Sequence, residues 1–228
     1  MTEPRVAVVI PAYNAEPWLG EAIESVLRQR LWHEIIVVDD GSSDATAQTA
    51  DRYGPAVRLL RQRHAGVGAA RNRGVAATHA DIVAFLDADD RFTSAGLDLR
   101  VEFHVAHPAC ELVFGQLQSF YTTHDGEPVP RGPLYPGVVV GAATVRRSAL
   151  ERVGQFNNAR VGEGLDWQLR AHELGVPAIT LPDHVIWRRV HGDNATIRHQ
   201  ADYREYARAL KASLDRRRAR PTTWPASQ

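Results

Sequence analysis

Residues 85–90 read FLDADD, an apolar pair followed by Asp87, Asp89 and Asp90 within four positions. Carboxylates this close repel and raise one another's pKa unless a cation compensates them. Asp87 and Asp89 are two apart, so an extended backbone aims both the same way. A hard divalent cation suits such a pair. Mg²⁺ or Mn²⁺ takes one or two carboxylates and leaves its remaining positions to phosphates and waters. Asp90 is read instead as a cap of the turn that follows. Two other polar turns accompany these acids: Pro11-Ala12-Tyr13-Asn14, and Asp39-Asp40-Gly41-Ser42-Ser43-Asp44. Asp44 there is read as a helix cap.

The elements between these turns explain why they belong together. Four short apolar runs, Val6–Ile10, Ile35–Val38, Val57–Leu60 and Ile82–Leu86, have the near-continuous branched character of strands buried on both faces of a parallel sheet. Helical patterns separate them. Trp18, Leu19, Ala22, Ile23, Val26 and Leu27 form one stripe behind Pro17, Ser43 or Asp44 caps a helix through Ala45–Tyr53, and a third covers Ala69–Ala77. This alternation predicts a doubly wound α/β domain, whose ligands collect beyond the carboxyl ends of the strands. All three polar turns stand there, on one rim.

After Asp90 the pattern changes. A helix is expected over Leu97–His107 with Ser94 as its cap, strands over Glu111–Thr123, and a proline- and glycine-rich loop over 124–137 that closes over the site. An apolar strand (Val138–Val145), a short helix after Ser148, a helix ending at Gly175 and a strand over Ala178–Trp187 follow. An amphipathic helix begins near Gln200, and the last eight residues are expected to fray.

Composition narrows the function. The 228 residues carry 27 basic and 27 acidic side chains, which excludes a broadly basic nucleic-acid-coating surface. Cys110 is the sole cysteine, so neither an internal disulfide nor a cysteine-based zinc site is available. No run approaches the roughly 18–20 apolar residues of a membrane span, and the opening residues are interrupted too early for a signal peptide. The cytoplasm is the expected compartment. The GVGAAR segment lacks the third glycine of a dinucleotide fingerprint.

VVIPAYN (8–14), IIVVDDGSSDAT (35–46), AGVGAARNRGVAAT (65–78) and ADIVAFLDADD (80–90), in that order and spacing, resemble the family 2 glycosyltransferases. The resemblance implies a GT-A fold, α/β with a Rossmann-like, mostly parallel sheet, helices on both faces and a smaller acceptor-side region. It implies a nucleoside diphosphate sugar donor, a UDP-sugar favoured, and Mg²⁺ or Mn²⁺ at a D-X-D motif, Asp87-Ala88-Asp89. By the same resemblance Pro11, Ala12, Tyr13, Asn14 and Asp40, less directly Asp39, hold the nucleoside, and Arg71 stands near the base or phosphates. Residues 1–95 would form the donor half of one domain, 96–199 the acceptor and catalytic half, and 200–228 a C-terminal helix and tail.

Family members carry a pattern like E-D-x-D-L-x-L-R, matched here by Glu163-Gly164-Leu165-Asp166-Trp167-Gln168-Leu169-Arg170. Gly164 replaces the aspartate usually credited as the base, which leaves Asp166, preferred, or Glu163. Asp166 could equally pair with Arg170 one turn on. VIWRRVHGDNAT (185–196) resembles the family's closing segment, making His191 a third metal ligand and Arg188 or Arg189 a partner of the pyrophosphate. Trp167 and Trp187 are read as core or acceptor-wall residues.

The expected reaction is metal-dependent, inverting and non-processive, since Q-x-x-R-W and membrane helices are both missing from the sequence. The acceptor stays open among a glycan, a lipid-linked sugar, a small molecule and a peptide, and a homodimer stays open too. A catalytically degenerate nucleotide- or glycan-binding module is the rival from another class, raised by Gly164. A nucleotidyltransferase is the enzymatic rival, weakened because no glycine-rich triphosphate loop follows the first strand.

Overall fold

The computed structural model describes residues 3–122, 128–159, 162–192 and 203–219. Its first strand, β1 (Val6–Ala12), is buried along its whole length. It pairs in parallel with β2 (Glu34–Asp39) on one side and β4 (Ile82–Phe85) on the other, and β2 pairs in parallel with β3 (Arg58–Arg61). Alternate β1 side chains serve opposite faces. Val8 and Ile10 pack with Leu19, Ile23 and Val26 of α1 (Glu16–Leu27). Val9 packs with Ala70 of α3 (Val67–Ala76) and, beyond it, Trp167 of α6 (Glu163–Glu173). Two apolar layers on one sheet explain why the strands read as unbroken apolar runs.

Beyond β4 the sheet turns mixed, and its order is β3-β2-β1-β4-β8-β6-β9-β5, with β7 paired to β6. Here β5 is Arg91–Phe92, β6 Leu112–Thr122, β7 Pro128–Pro136, β8 Thr144–Arg146 and β9 Ala178–Arg189. Strand β8 runs antiparallel to both β4 and β6, while β9 lies parallel to β6. Helices α2 (Thr46–Asp51), α4 (Gly96–Ala106) and α5 (Arg147–Val153) complete the core, and α7 (Tyr203–Ala219) lies on α6.

Three expectations for the second half are corrected. Residues 128–136, expected as loop, form β7, antiparallel to β6. Its prolines are tolerated because β7 is an edge strand, where a missing N–H can face away from the ladder. Residues 123–127 lie outside the described residues, and so do 193–202 and 220–228, which include the tail expected to fray. The expected strand over Val138–Val145 is instead a single 3₁₀ turn, Val140–Ala142, followed by the short β8, with Val138 and Val139 half exposed. Ser94 does not cap α4; Ala95 holds that position with no side-chain bond to the helix.

Candidate functional site

At the β1 rim, Tyr13 and Asn14 project past the end of the strand, whereas Pro11 and Ala12 remain buried in the sheet. Asn14 takes a left-handed backbone (φ 48°), accepts the Ser43 amide on Oδ1 at 2.9 Å, and donates its own amide to Ser42 at 2.9 Å. The first two polar turns are thereby fastened together. Tyr13, 46% exposed, stacks on His64 with ring centroids 4.2 Å apart. That flat aromatic pair is suited to a nucleobase. No local pattern marks His64, which enters from the loop after β3.

The Asp40 carboxylate, expected to hold the nucleoside, is engaged by the protein's own donors at this rim. It is buried, and its oxygens accept from Gln62 Nε2 (2.7 Å), the Ala65 amide (2.9 Å) and the Gly66 amide (2.8 Å), with His64 Nδ1 at 2.9 Å. Its role is to shape the 62–66 loop that carries His64. Asp39, equally buried, accepts the Ser42 amide. Ala45, not Asp44, is the cap residue of α2; Asp44 stands one position before it and takes the Thr46 amide at the start of α2 and the Glu16 amide at the start of α1.

The acids after β4 are arranged differently from the extended pair expected. The strand stops at Phe85, and Asp90 donates its amide to the Asp87 carbonyl at 3.0 Å, closing a turn. Asp87 and Asp89 therefore engage different partners. Asp87 meets Arg71 Nη2 at 2.8 Å, and Asp89 Oδ2 stands 3.0 Å from His191 Nε2. Gly141 enables the Asp87 position, because a Cβ there would come within 2.5 Å of Asp87 Oδ2. Asp90 is buried and accepts the Arg189 amide at 2.9 Å. Burial first, then the charges of Asp89 and Asp87, push its carboxyl well above the ordinary range.

The second half reaches the rim through long-range pairs. Arg71 is buried and spans the two halves, donating Nη1 to Glu163 (2.5 Å) and Nη2 to Asp87. Gly68 permits this approach, since a Cβ there would collide with the Asn157 carbonyl at 2.2 Å and crowd Glu163. Arg189 is also buried. Its Nε donates to the Asp89 carbonyl (3.0 Å) and its Nη2 to Glu21 of α1 (2.7 Å), so it fastens the end of β9 under the acidic turn. Arg188 is half-buried. Burial opposes its charge, but Tyr135 and the Asp90 and Asp87 carboxylates hold its pKa above the ordinary value. Arg73 is exposed on α3, as a solvated helix face requires.

Both candidate bases are buried and paired with arginines, and they differ in where those arginines lead. Asp166 is bound by Arg170 Nε (3.0 Å) and Arg216 Nη1 (3.4 Å), while Glu163 is one guanidinium away from Asp87. At Gly164 an added Cβ would meet Val140 at 3.4 Å and Arg71 Nη1 at 4.0 Å, ordinary van der Waals contact. Trp167 is core: fully buried, it donates Nε1 to the Gly154 carbonyl. Trp187 is half-buried, edge-on to Phe120 and His184. Trp18 was missed as a site residue. It stacks on His191 at 3.9 Å and so fixes the imidazole beside Asp89.

Asp89 and His191 offer one oxygen and one nitrogen donor, each partly open to solvent. No group of three or more histidine, cysteine or acidic side chains suited to a metal gathers among the described residues. This donor set fits a divalent cation that takes its other positions from phosphates and waters, and does not fit a closed structural site.

A sequence-family model described as "Glycosyl transferase family 2" matches residues 7–154. Among curated proteins, the chain is 38% identical over 96 residues to the uncharacterized glycosyltransferase EpsJ of Bacillus subtilis, covering 40% of this chain and 28% of that protein. It is 33% identical over 106 residues to the putative teichuronic acid biosynthesis glycosyltransferase TuaG of the same organism, covering 44% and 42%. The aligned stretch is thus well under two thirds of either relative. Among solved structures, the mannosyltransferase PcManGT from Pyrobaculum calidifontis, in complex with GDP-Man and Mn²⁺, superposes with a TM-score of 0.71 at 23% identity, over 92% of this chain and 65% of that one. S. aureus TarS 1-349 in complex with UDP-GlcNAc gives 0.69 at 20%, over 84% and 60%. The mixed α/β architecture is that of these GT-A structures.

Proposed function

This chain belongs to glycosyl transferase family 2, and from that premise we propose that it moves a glycosyl group from a nucleoside diphosphate sugar, a UDP-sugar favoured, to an acceptor hydroxyl, with inversion and without processive polymerisation. One observation carries the reading: past the end of β4 Asp89 meets His191 while Asp87 meets Arg71 and through it Glu163, with Arg188 in the field of Asp87 and Asp90, and the parallel neighbour β1 leads into Tyr13, stacked on His64. Solved relatives described in complex with UDP-GlcNAc, UDP or GDP-Man support the donor class.

In this reading Tyr13 and His64 receive the base, and Arg188 pairs with the diphosphate. Asp89 and His191 would hold Mg²⁺ or Mn²⁺, which supplies Lewis-acid stabilisation of the leaving diphosphate when bound. The acceptor oxygen attacks the anomeric carbon from the face opposite the diphosphate. The new C–O bond forms as the bond to the diphosphate breaks, and the hydroxyl proton passes to Glu163, whose Oε1 is held by Arg71. Asp166 braces Arg170 and Arg216 and so positions α6.

A second reading has its own observation. Gly164 contributes no carboxylate, and Glu163 and Asp166 are both paired with arginines. A chain so built could bind nucleotide or glycan without turnover. Screening UDP- and GDP-sugars with Mn²⁺, without acceptor and then with candidate acceptors, separates the two. Transferase function predicts release of the nucleoside diphosphate, and a loss of roughly 10²-fold or more in transfer for Glu163→Gln with donor affinity retained. Asp166→Asn is expected to lose less. Donor binding with neither hydrolysis nor transfer would favour the binding module.

A further inference from the structure

Helix α7 has one face against the protein and another open to solvent along much of its length. On the inner face Ala209 and Ser213 are buried, and Arg216 donates to Glu173 at 2.6 and 3.1 Å. The start of the helix crosses Gly162, the residue before Glu163, where an added Cβ would lie 3.5 Å from the Tyr206 ring. On the outer face Leu210 and Leu214, one turn apart, are 50% and 52% exposed. At 3.6 residues per turn, Ala207, Leu210, Lys211, Leu214, Arg217 and Arg218 fall within an arc of roughly 120°. No acidic residue lies on that arc; Glu205 and Asp215 fall outside it. Arg204 and Arg208, both exposed, stand nearby.

We propose that this face of α7 docks on an anionic lipid surface, with Leu210 and Leu214 entering the headgroup boundary and Lys211, Arg217 and Arg218 meeting lipid phosphates. Leucines flanked by basic side chains on one helical face are the pattern of an interfacial helix. No described helix is long and apolar enough to cross a membrane, so α7 would lie on the surface without spanning it. A second copy is the poorer occupant, because a two-fold contact on this face would set three cations of one chain against the same three of the other. An array of anionic headgroups instead complements them. The docking does not depend on the transfer reaction. Where transfer holds as well, α7 resting on α6 favours an acceptor carried on a lipid.

The test is flotation of the purified 228-residue chain with vesicles of phosphatidylcholine alone and of phosphatidylcholine mixed with phosphatidylglycerol. Binding is expected only with the anionic vesicles, and its loss in molar salt. Leu210→Gln with Leu214→Gln should lower partitioning about tenfold or more, and each of Arg217→Gln and Arg218→Gln about fivefold. The arginine changes sit at exposed positions, so they keep the test valid even if the leucine pair perturbs folding. Three outcomes overturn the proposal: no flotation with anionic vesicles, flotation unaffected by the arginine changes, or a wild-type dimer in light scattering that the leucine changes dissociate.

Discussion

The acids that close and follow β2 behave differently from those that follow β4. Asp39, Asp40 and Asp44 spend their oxygens on amides and side chains of their own neighbourhood, within about 26 residues of sequence or on the adjoining α1 turn. Asp89 and Asp90 pair across the molecule, with His191 and Arg189, and Asp87 reaches across it only through Arg71, 16 residues away, which in turn holds Glu163. The first set builds loops. The second set frames the proposed site, because directly or through Arg71 its members join regions far apart in the chain. An acidic motif is therefore informative about chemistry mainly where its partners come from far away.

Removing the central cross-half pair should have the largest effect. Arg71→Met leaves Glu163 buried without its guanidinium and is expected to cost about 3–5 kcal/mol of stability, read as a lowered urea midpoint. A shift within the scatter of ordinary surface changes would mean that the two halves do not depend on this pair. Next comes His104, buried between α4 and β8, with Nδ1 3.2 Å from the Cys110 carbonyl and Nε2 3.1 Å from Thr144 Oγ1. Burial lowers its pKa from 6.5 to about 4. The unfolded chain therefore binds the proton first as pH falls. The stability this imidazole contributes is whole above pH 6.5 and is lost progressively down to pH 4, about 2 kcal/mol of it by pH 5. Urea titrations at pH 7.5 and 5 should show a flatter pH dependence in His104→Gln, whose amide at this position does not titrate. An unchanged pH dependence would remove His104 from the account. The smallest effect belongs to the donor half: Tyr13→Ala should weaken nucleoside diphosphate binding roughly tenfold with little change in melting temperature, since the ring is half exposed. Asp40→Ala, by contrast, should disturb folding of the 62–66 loop.

The same division governs what could be read from the sequence. The parallel strands were legible because burial on both faces leaves unbroken apolar runs such as Val6–Ile10, and α1 because its apolar stripe meets them. The polar rim followed from topology alone. Strand β7 was hidden by its prolines, whose tolerance depends on an edge position that only the assembled sheet reveals. The divergence of Asp87 and Asp89 depends on a turn that begins two residues after β4, and two-residue spacing carries no sign of it. Two of the arginines that pair with Glu163 and Asp166 come from afar, Arg71 on α3 and Arg216 on a helix 50 residues away, so no local spacing shows them. Trp18 on His191 is a contact between α1 and the chain past β9, outside the reach of any local pattern. Gly141 reads as one more residue of an apolar segment until Asp87 is seen against it.

The central claim is that a nucleoside diphosphate is held through a divalent cation at Asp89 and His191. Calorimetric titration of UDP and of GDP into the wild type and Asp89→Ala, each in Mn²⁺ and in EDTA, tests it directly. The account predicts binding to the wild type that is strong in Mn²⁺ and weak in EDTA, and an Asp89→Ala variant that is weak in both and at least about 10²-fold less active. Equal affinity with and without the metal, or Mn²⁺-dependent binding that survives Asp89→Ala, would contradict it.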